Sequence, residues 1–174
     1  MTAVKRIYII GFMGSGKSTA GKKLAATLGW QFIDLDNEIE LKAKQAIEDI
    51  FSSSGEDHFR ELEAETLLNL KTRSDAVISA GGGTPCHGRN MDFMISTGIV
   101  VYLKMTPGQL KSRLKESTGG RPLINNLDKT ELLKYITDKL SEREAYYLKA
   151  SIIIDSINLD IKALSNMIKA RLVG

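Results

Sequence analysis

Cysteine is nearly absent: Cys86 is the only one in 174 residues. An internal disulfide is excluded, a cysteine-based zinc cluster lacks ligands, and a reducing compartment is the expectation. Long apolar runs are also missing. Those present are short, such as Ile7-Tyr8-Ile9-Ile10 and Ile152-Ile153-Ile154, far below the roughly 20 residues of a membrane span. The N-terminus shows neither the apolar stretch nor the small-residue cleavage site of a signal peptide. There are three prolines and no Pro/Gly/Ser-rich stretch to act as a linker. Trp30, the only tryptophan, reads as core or edge packing. Acids are missing from residues 1–30, which carry five bases. Residues 31–70 reverse this with eleven acids and three bases, and residues 71–174 carry sixteen bases and ten acids. The net charge of +3 is too small to argue for nucleic acid. The expectation is a cytoplasmic, soluble monomer with no nucleic-acid or membrane partner. Its length suits a single domain of about 100–200 residues, large enough to bury roughly 70% of its unfolded surface without a staple.

Short apolar runs alternate with longer amphipathic stretches. Strands are expected over 6–10, 31–34, 76–80, 99–104 and 152–155. Helices are expected over 17–28, 36–51, 56–70, 91–96, 107–114, 130–149 and 159–172, with Gly55 as a break and 117–126 as a loop. Such alternation predicts an α/β fold in three layers, a five-stranded parallel sheet flanked by helices. Ligands in such sheets bind beyond the carboxyl ends of the strands. Four of the five strands run into Gly or Asp there: Gly11, Asp34, Gly81 and Asp155.

Gly11-Phe12-Met13-Gly14-Ser15-Gly16-Lys17-Ser18 matches G-x-x-x-x-G-K-[ST] at every fixed position. The loop must turn its backbone N–H groups around an anion, which needs conformations open mainly to glycine. The helix after it adds the positive end of its dipole. Lys17 supplies a point charge to the β and γ phosphates, and Ser18 a hydroxyl ligand to Mg²⁺. A carboxylate here would repel a triphosphate, and none precedes residue 31.

Asp34-Leu35-Asp36 places two carboxylates at a strand end, on the same side if extended. One could hold the metal or its waters and the other meet a substrate hydroxyl, although Asp36 also fits a helix N-cap. Arg60, with Glu63 at i+3, reads either as an ordinary surface ion pair or as a braced arginine gripping a planar anion. Arg121, between Gly119-Gly120 and Pro122, reads either as an exposed loop cation or as the arginine of a closing lid. Arg143 lies in Glu142-Arg143-Glu144 and by itself suits a solvated helix face. Gly81-Gly82-Gly83 allows a close ligand approach or merely a flexible turn. Cys86 and His87 are read as structural, and His58 as a surface residue.

In order, these motifs resemble the shikimate kinase family, a small P-loop group of the nucleoside-monophosphate-kinase-like type. The matching parts are Gly11 to Ser18, Asp34-x-Asp36, Phe59-Arg60-x-x-Glu63, Gly81-Gly82-Gly83, Arg121-Pro122-Leu123 and Glu142-Arg143-x-x-x-Tyr147. The resemblance implies one P-loop kinase domain with a substrate-binding helical segment near 35–62 and a compact lid near 115–125. It implies transfer of the γ-phosphate of ATP to the 3-hydroxyl of shikimate, in aromatic amino-acid biosynthesis, with one Mg²⁺ per subunit. Gly14, Ser15, Gly16, Lys17, Ser18 and Thr19 would bind ATP, and Arg113 would contact adenine. Ser18 and Asp34 would hold the metal, the latter through water. Asp36 would bind shikimate hydroxyls and act as candidate base. Arg60 and Arg143 would grip the carboxylate, the Gly81–Gly83 run would contact the substrate, and Lys17 and Arg121 would serve the transferring phosphate. Two other readings stand beside this one: a kinase for another sugar acid such as gluconate, and a nucleotide-dependent regulatory module.

Overall fold

The computed structural model describes residues 5–116, 124 and 126–173. Strands β1 (Arg6–Ile10), β2 (Gln31–Asp34), β3 (Ala76–Ser79), β4 (Ile99–Lys104) and β5 (Ile152–Asp155) form one sheet in the order β2-β3-β1-β4-β5. Every neighbouring pair is parallel. Parallel strands need crossovers, and helices supply them: α1 (Lys17–Leu28), α2 (Leu35–Ala43), α3 (Ile47–Asn69), α4 (Asn90–Thr97), α5 (Pro107–Glu116) and α6 (Lys129–Tyr147), while α7 (Ile161–Val173) follows the last strand.

The central strand β1 is buried along its whole length, which is why it reads as an unbroken apolar run. Its alternation sorts the core into two layers. Ile7 and Ile9 face Leu24 of α1 with Leu164 and Ile168 of α7. Tyr8 and Ile10 face a larger cluster that includes Ile39, Phe59, Met94, Leu110 and Ile136 from α2 to α6. The expected three-layer architecture is therefore present.

One boundary differs from the sequence reading. The stretch 36–51 is not one helix. The chain breaks at Lys44, which adopts φ 54° as the C-cap of α2. The Glu40 carboxylate then accepts from the Ile47 amide at 3.0 Å and caps α3. Neither Gly nor Pro marks residues 43–46, so the periodicity runs across the break unmarked. Gly55, at φ 81° and ψ 175°, leaves helical geometry and divides α3 into two helical segments, the break expected there.

Candidate active site

The phosphate loop joins β1 to α1 at the carboxyl edge of the sheet. Gly14 and Gly16 take φ of 81° and 87°, a region costly for residues with a Cβ. Gly16 is the N-cap of α1 and offers no side-chain cap, so the first amides of α1 stay open to an external anion. Lys17 Nζ donates to the Phe12 carbonyl at 3.0 Å, which folds the side chain back over the loop. Ser156, just past β5, donates from Oγ to the Ser15 carbonyl and ties the loop to the sheet's other edge.

Asp34 ends β2 and also begins α2. Its Oδ1 accepts from the Asp36 amide at 3.0 Å and the Asn37 amide at 3.4 Å, while its Oδ2 accepts from Ser18 Oγ at 3.0 Å. Asp34 is therefore the N-cap, not Asp36. The two carboxylates also do not share an extended strand, because Asp36 already lies in the first turn of α2. They remain electrostatic neighbours. Burial, followed by the charges of Asp34 and Glu63, pushes the Asp36 carboxyl up to about 6.

The glycine run explains how distant side chains converge. A Cβ on Gly81 would stand 3.2 Å from Asp36 Oδ1, one on Gly82 3.3 Å from Arg143 Nη1, and one on Gly83 2.7 Å from Arg60 Nη2. Three consecutive glycines thus let one carboxylate and two guanidinium groups pack against the backbone after β3. Arg60 donates to Glu63 at 2.8 Å and to Glu56 at 3.2 Å. Only Glu63 is buried, with a side chain 1% exposed. The local reading of a surface pair therefore fits Glu56, and the braced reading fits Glu63. Arg143 does not sit on a solvated face: it lies over the Phe12 ring, 5.5 Å from its centroid. Tyr147, one turn further along α6, donates to the Gly82 carbonyl at 2.5 Å and stacks on Tyr102.

These groups line two cavities. The larger, about 660 Å³, is bounded by the phosphate loop with Thr19, Asp34, Asp36, Gly81, Gly82 and Arg113. The smaller, about 240 Å³, is bounded by Arg60, Arg143, Glu56, Tyr146, Cys86 and His87, among others. A third, about 260 Å³, adjoins the loop between Arg113, Thr19, Ser156, Ile157 and Leu159. Arg113 reaches the loop from α5, its Nη1 2.9 Å from where a Gly16 Cβ would be. Arg121 and most of the expected lid lie outside the described residues.

Cys86 and His87, read as structural, form part of the wall beside Arg60 and Arg143. Burial raises the Cys86 thiol, while burial and the neighbouring Arg60 charge lower the His87 imidazole. Thr84, which donates to Glu63 at 2.6 Å, was not singled out from the sequence. No spacing rule marks these three; the glycine run just before them is the only nearby signal. His58 is exposed as expected.

A phosphate loop on a parallel sheet, with facing carboxylates and two convergent arginines, defines a P-loop kinase of small molecules. The sequence profile of the family described as Shikimate kinase matches residues 13–172. A shikimate kinase from Parabacteroides distasonis is 40% identical over 167 residues, covering 94% of this chain and 96% of the relative. The crystal structure of shikimate kinase from Bacteroides thetaiotaomicron superposes with a TM-score of 0.89 at 35% identity, covering 99% of this chain and 100% of that one. A shikimate kinase from Acinetobacter baumannii in complex with shikimate gives 0.82 at 32% identity, covering 99% and 94%. The chain belongs to the shikimate kinase family.

Proposed function

We propose that this protein transfers the γ-phosphate of ATP to the 3-hydroxyl of shikimate, giving shikimate 3-phosphate in the route to aromatic amino acids. The observation that carries the reading is the glycine run, which holds Asp36, Arg143 and Arg60 side by side next to the phosphate loop. A planar carboxylate suits two guanidinium groups, and a hydroxyl suits a carboxylate of raised pKa. Family membership favours shikimate over another sugar acid such as gluconate. A regulatory nucleotide switch has no use for carboxylate-binding arginines.

In this reading Gly14 to Thr19 hold the triphosphate, with Lys17 on the β and γ phosphates. The base occupies the cavity between Arg113 and the turn after β5. Arg60 and Arg143 orient the acid, and the Gly81–Gly83 backbone lines its path. Attack by the 3-hydroxyl oxygen on the γ-phosphorus forms one O–P bond and breaks the bond to ADP. The hydroxyl proton passes to Asp36. Arg121 is assigned to the transferring phosphate by its motif. Residues 35–62 form the substrate-binding segment and 115–125 the lid, within a single domain.

Among the described residues no group of three or more His, Cys, Asp or Glu could hold a metal. The Ser18 hydroxyl and Asp34 carboxylate, 3.0 Å apart, fit a cation that takes few protein ligands and keeps its waters. These two would hold one Mg²⁺, which when bound neutralises charge on the phosphate oxygens. No described helix is long and apolar enough to cross a membrane. A cytoplasmic monomer without nucleic-acid or membrane partners completes the proposal.

The deciding experiment is ADP release with ATP and Mg²⁺, measured with shikimate, with gluconate and with neither. Release that depends on shikimate alone supports the reading, and release indifferent to shikimate overturns it.

A further inference from the structure

Arg60 is held by a relay that begins outside the cavity it lines. Its Nη1 donates to Glu63 Oε1 at 2.8 Å. The second oxygen of that buried carboxylate, Oε2, accepts from Thr84 Oγ1 at 2.6 Å. Thr84 is fully buried, on the short turn Thr84–Cys86 that follows the glycine run. This turn is itself anchored twice. The Thr84 carbonyl accepts from Asn90 Nδ2 at 3.0 Å, and the Thr84 amide donates to the Gly81 carbonyl at 3.1 Å. Both Glu63 oxygens are thus engaged, one by a guanidinium and one by a hydroxyl. Deleting the hydroxyl leaves a buried carboxylate oxygen without its partner, a costly state that the side chain relieves by turning. Arg60 would turn with it. The other carboxylate partner of Arg60, Glu56, is 57% exposed, and an exposed pair holds geometry weakly.

We propose that Thr84 is a positioning residue for recognition of the substrate carboxylate. Its hydroxyl fixes Glu63, Glu63 fixes Arg60, and Asn90 keeps Thr84 in place. The inference rests on the reading of Arg60 as a carboxylate-binding group.

The test compares Thr84→Ala with Thr84→Ser, since both trim the side chain but only alanine loses the hydroxyl. Thr84→Ala is expected to raise KM for shikimate about tenfold, with KM for ATP and kcat changed less than about twofold. Thr84→Ser is expected to stay within about twofold of wild type. In an Arg60→Ala background, Thr84→Ala should add no further rise, because groups acting through one another are not additive. Equal effects of alanine and serine overturn the inference, as does an undiminished rise without Arg60. An unchanged KM in Arg60→Ala itself instead overturns the carboxylate assignment, and the inference with it. If Thr84→Ala does not fold, Thr84→Val against Thr84→Ser makes the same comparison at nearly native volume.

Discussion

Asp36 is the residue where stability and chemistry pull apart. Its carboxyl is pushed up to about 6 by burial and by the charges of Asp34 and Glu63, so it titrates within the working range of a general base. The acidic limb of kcat/KM should therefore fall near pH 6. Asp36→Asn should lower kcat by roughly 10²–10⁴-fold, and a loss below tenfold would show that the group only positions the hydroxyl. The same shift has a folding consequence. The folded value lies above the ordinary 3.8, so the fold disfavours the ionised form. That penalty is complete above about pH 6 and vanishes as pH falls toward 4. Asp36→Asn should then stabilise the fold by up to about 3 kcal/mol near pH 8, seen as a higher Tm, with no gain near pH 4. Lys17 gives a simpler expectation: Lys17→Ala should cost about 100-fold or more in kcat, and a mutant keeping over about a tenth of wild-type kcat would refute its assignment. Both positions were legible in the sequence, because loop and strand-end motifs are local. The capping role was not, since only hydrogen-bond geometry separates Asp34 from Asp36 as the helix N-cap.

At the scale of elements, the proposed function gives recognition to the turn after β3. Gly83 has φ −88°, which alanine adopts without strain, so Gly83→Ala tests close approach alone. The added methyl would meet Arg60 Nη2 at 2.7 Å and Nη1 at 3.0 Å. The variant should fold normally and raise KM for shikimate about tenfold or more through displacement of a charge-assisted contact, with KM for ATP unchanged. Equal increases for both substrates would place the turn in general packing instead. The α2–α3 junction shows the limit of periodicity. Apolar spacing over 36–51 continues through a break made by a left-handed Lys44 and the reaching carboxylate of Glu40. Those interactions use side chains that elsewhere sit comfortably within a helix.

At the scale of the whole molecule, the charge zoning acquires a layout. The acid-free first thirty residues include the phosphate loop, and the acidic 31–70 stretch contributes Asp34 and Asp36 to the same cavity, with Glu63 buried behind Arg60. Arg113 and Arg143, from the basic remainder, close in from α5 and α6. A protein arranged around a triphosphate should be stabilised by one. A non-hydrolysable ATP analogue with Mg²⁺ at about 100 Kd should raise Tm by about 5–10 °C, for about 2.7 kcal/mol. EDTA should remove most of that gain, and Lys17→Ala should not show it; a shift insensitive to EDTA would argue against the Ser18–Asp34 metal site. By itself the sequence determined the strand and helix order, the phosphate loop and the identity of the charged groups, because turn chemistry, apolar alternation and motif spacing act over a few residues. Only the tertiary structure decided that Arg60, Gly82–Gly83 and Arg143 meet, that Arg143 lies over the Phe12 ring, and that Thr84, Cys86 and His87 stand beside the site. Those contacts join residues tens of positions apart, and sheet register with helix packing sets them.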